Sequence, residues 1–147
     1  MNTDQPPSST RQTTILQVMI TGCDELSQSL EPAQVNELVN KCYEIFSSVI
    51  SLYGGTIDHF TGREAMALFG IPEPLEKAPQ KAVGAALDML GRIAELDHEM
   101  QLPVGLGMKI GVNTGPVNIE KIGKDRHARD MVMGETVVMV SRLCDIA

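Results

Sequence analysis

From Thr14 to Thr21 the chain alternates apolar with polar or β-branched residues (TILQVMIT), which predicts a strand ending at Gly22. The period then changes. After Pro32, which suits a first helical turn, Val35, Leu38, Val39, Cys42, Ile45, Phe46, Val49 and Ile50 recur at the spacing of one helical face. Gly54 and Gly55 end that helix in the manner of a left-handed cap. Two short strands follow, near Thr56–Phe60 and Ala65–Phe69, with Thr61-Gly62 as the tight turn of a hairpin. Pro72 and Pro74 mark a loop, and Pro79 opens a second helix that runs through Val83, Ala86, Leu87, Leu90, Ile93 and Leu96 to about Met100. Alternation returns at Val104, Leu106, Met108, Ile110 and Val112. Asn113–Gly115 reads as a turn into a separate strand, Val117–Ile122. A short strand near Met131–Met133 and a helix from Glu135-Thr136 complete the chain. The order β-α-β-β-α-β-β predicts an α+β fold: a ferredoxin-like antiparallel sheet with helices on one face.

Composition narrows the class. At 147 residues, 43% hydrophobic and 21% charged, the chain has the make-up of one globular domain. A net charge of −7 argues against a nucleic-acid partner, which calls for a basic face. No apolar run approaches the roughly 20 residues of a membrane span. Residues 1–12 are polar and rich in Pro and Ser, and are expected to be a disordered tail ahead of a domain at 13–147. The three cysteines, Cys23, Cys42 and Cys144, are far apart and fit reduced, mostly buried thiols in a cytoplasmic protein. Nine methionines are read as core filling, and the basic stretch Lys121, Lys124, Arg126, His127, Arg129 as a solvated loop.

Three stretches carry a resemblance: Thr14–Leu26 (TILQVMITGCDEL), Gly54–Gly70 (GGTIDHFTGREAMALFG), and Lys109–Gly115 (KIGVNTG) with Gly134–Leu143 (GETVVMVSRL). Together they resemble the catalytic domain of class III nucleotidyl cyclases, from about Thr13 to the last residue. The resemblance implies an elaborated ferredoxin-like fold, head-to-tail pairing of two domains, and sites at their interface. It also implies further strands beyond the final helix, so residues 13–147 are expected to be a cyclase-homology domain lacking its last strands.

The resemblance implies a composite site, and here the residues depart from it. Two carboxylates of the family hold two Mg or Mn ions against a triphosphate. Their positions fall on Met19, three residues before the loop glycine Gly22, and on Arg63, which follows Gly62. A thioether is a poor magnesium ligand and a guanidinium is always cationic. Two like unit charges about 4 Å apart repel by about 4 kcal/mol at an effective dielectric of about 20. No cofactor is therefore expected. Asp24, Asp58 and Glu64 are the nearby acids, with Glu64 expected to face away from Arg63. The base- and ribose-side positions of the family fall on His59, Met131 and Val138. Only Arg142, the family's transition-state arginine, is retained.

These departures favour a catalytically inactive cyclase-homology domain that acts as a dimerising or regulatory module, as a homodimer or paired with another cyclase-type domain. One alternative is an active adenylate or guanylate cyclase with a non-standard metal site. Another is a metal-free binder of a phosphate ligand through Arg63 and the Gly22 loop.

Overall fold

The computed structural model describes residues 9–123 and 129–147. Strand β1 (Ser9–Thr21) lies at the centre of a five-stranded antiparallel sheet of order β2-β3-β1-β4-β5. Its flanks are β4 (Gly107–Ile122), paired from Ser9↔Ile119 to Thr21↔Gly107, and β3 (Glu64–Phe69), paired from Thr14↔Phe69 to Met19↔Glu64. The outer strands are β2 (Thr56–Phe60) and β5 (Arg129–Met133).

The alternation in β1 decides what each face of the sheet buries. Leu16, Val18 and Ile20 point into the main core with Ala65, Ala67 and Phe69 of β3. There they meet Leu38, Cys42, Phe46 and Val49 of α2 (Pro32–Leu52) and Ala82, Ala85, Met89 and Ile93 of α3 (Ala78–Met100). Burying a Leu, Val or Phe side chain is worth about 1.5–3 kcal/mol, and a slip of one residue would turn this whole set outward, so the register is strongly specified. α2 begins as read from the sequence: Pro32 occupies the first turn, and the Glu31 amide donates to Gln34 Oε1 at 2.9 Å in a capping box.

Of the three helices read from the sequence, α2 and α3 form this layer. A further helix, α4 (Glu135–Ile146), packs on the opposite face, where Val140 joins Ile15, Met66, Leu68 and Val117 in a second, smaller core. Glycines make that approach close. A Cβ at Gly111 would stand 2.7 Å from the Val140 carbonyl oxygen and 2.8 Å from the Cys144 nitrogen. The buried Gln17 side chain accepts a hydrogen bond from Ser141 Oγ at 2.7 Å, and Asn113 Nδ2 donates to the Thr136 carbonyl at 3.2 Å.

The structure corrects three readings. Asn113–Gly115 is no turn: β4 runs straight through it, with Asn113 opposite Ile15 and Gly115 opposite Thr13. The long partner strand supplies a hydrogen-bond ladder that overrides the local turn signal. Gly115 is required for another reason, since a Cβ there would meet Thr136 Oγ1 at 2.6 Å. Second, β1 begins at Ser9, inside the segment 1–12 expected to be a disordered tail, because β4 extends far enough to pair with it; residues 1–8 lie outside the described residues. Third, a short helix α1 (Cys23–Ser29) follows β1. It buries only Leu26, too little for a periodic pattern to announce it. The basic stretch from Lys121 to Arg129 lies mostly outside the described residues.

Gly111→Ala tests the contact between sheet and α4. It is expected to lower stability by about 2 kcal/mol or more in urea unfolding, because the new methyl meets backbone atoms, which cannot rotate away.

Candidate functional site

Met19 and Arg63 are 44 positions apart in the chain and neighbours in space. The β1–β3 ladder does this: Met19 pairs with Glu64, and the Ile20 amide donates to the Arg63 carbonyl at 2.8 Å. Arg63 sits in the hairpin loop, which the Thr61 amide closes by donating to the Glu64 carbonyl at 2.9 Å, with Gly62 at φ 93°. On the other side the chain leaves β1 through Gly22, at φ 94°, and enters α1. Gly22 has a steric reason of its own: a Cβ would lie 2.3 Å from the Gly105 carbonyl oxygen.

Between hairpin and α1 lies an open cavity of about 470 Å³, lined by Met19, Thr21, Gly22, Cys23, Asp24, Glu25, Thr61, Arg63 and Glu64 among others. Arg63 forms an ion pair with Asp24 across it, and both side chains are largely exposed. Water screens such a pair, so it adds little to stability. Glu64 also lines the cavity, contrary to the expectation that it would face away from Arg63. The strand alternation that placed it there does not extend to Arg63, which precedes the strand. Glu25 and Thr21 were not singled out in the sequence, and Cys23 was read only as a reduced thiol; their signal is their place on either side of Gly22. Burial, followed by the nearby Asp24, pushes the Cys23 thiol up, which outweighs the lowering by Arg63.

The remaining family-aligned positions lie elsewhere. His59 is half-buried in β2, its Nδ1 at 2.8 Å from Asp58 Oδ2. Adjacent strand residues normally face opposite ways. A register shift between Ile57 and His59 lets these two meet. Met131 in β5 is exposed, as are Val138 and Arg142 one turn apart on α4. None of them lines the cavity of Met19 and Arg63. Within one chain the structure therefore brings together Met19 and Arg63, the positions expected on the metal side, and leaves those expected to face base and ribose on separate surface.

Comparison with known proteins identifies the fold and the family. Residues 6–147 match the family model of the adenylate and guanylate cyclase catalytic domain. The guanylyl cyclase Cya2 superimposes with a TM-score of 0.86 at 29% identity, over 96% of this chain and 73% of that one. The adenylyl cyclase CyaB from P. aeruginosa superimposes with a TM-score of 0.89 at 27% identity, over 96% and 74%. Among curated relatives, the uncharacterized protein Rv1319c of Mycobacterium tuberculosis is 28% identical over 137 residues, 93% of this chain. The match spans only 24% of that relative's length.

These matches overturn the expectation that no cofactor is involved, since cyclase catalytic domains of this family use Mg or Mn ions. The side chains at the two aligned positions nevertheless do not fit such ions. Hard divalent cations take oxygen ligands, and Met19 and Arg63 present a thioether and a cation. Asp24, one of three acids lining the cavity, is engaged by Arg63. Among the described residues no three His, Cys, Asp or Glu side chains come together as a metal site.

Two outcomes check this site. The variant Met19→Asp/Arg63→Asp is expected to bind Mn²⁺ at least about tenfold more tightly than the natural sequence in calorimetric titration, because it replaces a cation and a thioether with hard anionic ligands. Separately, burial pushes the Cys42 thiol from 9.0 up to about 12. The unfolded thiol ionises first, so its contribution to stability is intact below 9.0 and is lost as pH rises toward about 12. The urea midpoint is expected to fall less between about pH 8 and about pH 10.5 in Cys42→Ala than in the natural chain.

Proposed function

Because the chain belongs to the adenylate and guanylate cyclase catalytic domain family, we propose that it is a degenerate member, a cyclase-homology domain that pairs with another domain and regulates rather than cyclises nucleotide. The observation that carries this reading is Arg63, seated with Met19 at the joined ends of β1 and the β2–β3 hairpin and paired to Asp24. A fixed guanidinium there opposes the approach of divalent ions and leaves the attacking hydroxyl without activation. The other half of the site supports the same reading. Met131 and Val138 are apolar where the family uses polar groups to read base and ribose, and Arg142 alone keeps its chemical type.

Pairing is proposed through the face that bears α4, where Val138 and Met139 are exposed beside Arg142. The partner is a second copy or another cyclase-type domain, in the cytoplasm, where the thiols stay reduced. A partner with an intact set of residues would leave both composite sites incomplete, because each takes one half from this chain, which is depleted on both sides.

A second reading has one observation in its favour. Asp24 lines the cavity, so a swing of Arg63 away from it would free that carboxylate for a cation. An anion-binding role for Arg63 and Gly22 is weaker, since the guanidinium is already compensated by Asp24.

The test is mass-spectrometric detection of cyclic AMP and cyclic GMP from folded, associated protein with ATP or GTP and excess Mn²⁺. No product above a protein-free control is the expected result. Product that disappears in Arg142→Ala and in Asp24→Asn would overturn the degenerate reading in favour of the non-standard metal site.

A further inference from the structure

A second cavity lies at the other end of β1, and a mismatch of strand lengths creates it. β3 ends at Phe69, opposite Thr14, while β1 runs back to Ser9. The residues before Thr14 therefore have β4 on one side and no strand on the β3 side. The loop 70–77 then leads to α3. Between this loop, the start of α3 and the bare flank of β1 is an open cavity of about 540 Å³, somewhat larger than the one at Met19 and Arg63. Clefts that hold small molecules run from about 300 to about 1,000 Å³.

The walls are mostly apolar, formed by Phe69, Pro74, Leu75, Ala78 and Pro79. Phe69 and Ala78 are buried, so the core fixes them, and the two prolines stiffen the backbone that carries them. Two hydroxyls complete the lining. Thr14 Oγ1 and Thr114 Oγ1 are 2.8 Å apart, so one donates to the other and a single hydroxyl proton is left for a third group.

Charge identifies the ligand. The chain carries 19 Asp and Glu against 12 Lys and Arg, and the cavity at Met19 is lined by three acids and one arginine. The second cavity reverses that balance: Arg11 and Lys77 line it, and no Asp or Glu does. Glu73 and Glu76 belong to the same loop but are exposed outside the lining. Arg11 is half-buried and held in place, because its Nη1 donates to the Pro72 carbonyl. That bond uses one donor of a guanidinium fork that has five. Lys77 stands exposed on the helix side, at φ 55°. A lone surface cation is ordinary. Two cations and no acid around an apolar cavity, in a chain this acidic, select negative charge on an apolar body. A phosphate dianion calls for several directed donors, whereas this lining matches a single carboxylate. We propose that the cavity binds a small organic acid, its apolar body against Phe69, Leu75 and Pro79 and its carboxylate between Arg11 and Lys77. None of the lining residues is shared with the cavity of Met19 and Arg63, so the site stands or falls independently of the function proposed above.

The experiment titrates the whole chain with naphthoate, an aromatic carboxylate, and follows binding by calorimetry and by backbone amide shifts in NMR. Binding is expected with a Kd below about 1 mM. The largest shifts are expected among Gln12, Thr14, Leu75 and Thr114. Naphthalenemethanol keeps the rings and loses the charge, and inorganic phosphate keeps charge and loses the rings; each is expected to bind at least about fivefold more weakly. Arg11→Gln is expected to weaken naphthoate binding at least about fivefold. Lys77→Asn is expected to weaken it about threefold, and asparagine accepts the left-handed backbone at that position, so this loss does not report a damaged fold. No binding at about 5 mM, or equal binding of the neutral analogue or of phosphate, would overturn the proposal. So would an affinity unchanged in both variants, or shifts confined to Met19, Cys23 and Arg63, which would assign the ligand to the other cavity.

Discussion

The ladder between β1 and β4 is the constraint on which the rest of the molecule depends. It runs without a break from Ser9↔Ile119 to Thr21↔Gly107, and it holds the central strand in a single register. Because side chains alternate along a strand, that register assigns Leu16, Val18 and Ile20 to the main core and Ile15, Gln17 and Met19 to the other face. A change of register would exchange the two sets. The cost of exposing several buried aliphatic side chains at about 1.5–3 kcal/mol each makes that exchange prohibitive for a domain of ordinary marginal stability.

The two faces are closed differently. On one, long helices α2 and α3 cover the sheet with bulky side chains. On the other, α4 comes down onto glycines, and its backbone at Val140 and Cys144 fills the space that a side chain at Gly111 would take. This close seating puts Val138 and Arg142 on the outward side of α4, while the end of β1 and the β2–β3 hairpin gather Met19, Arg63 and Asp24 around a separate cavity. In that cavity the arginine is paired to an acid of its own, Asp24.

Much of the fold was legible in the residues because its signals are local and repeated. The spacing from Val35 to Ile50, Pro32 in the first turn, and the glycines after Tyr53 each describe α2, and they agree with one another. α1 was not legible, since seven residues with one buried leucine set no period. The turn expected at Asn113–Gly115 shows how local signals fail. Asn, Thr and Gly favour a turn in isolation, yet a partner strand long enough to pair with them holds them extended.

The sequence by itself determined the two long helices, the hairpin, the family resemblance, and the absence of acids at positions 19 and 63, because these follow from residue type and near-neighbour spacing. Only the tertiary structure decided that Arg63 meets Asp24, that Glu64 shares their cavity, that His59 meets Asp58 across a bulge, and that α4 takes the second face. Those facts depend on strand register and on the fit of helix against sheet. Both arise from contacts between distant segments, which no local pattern encodes.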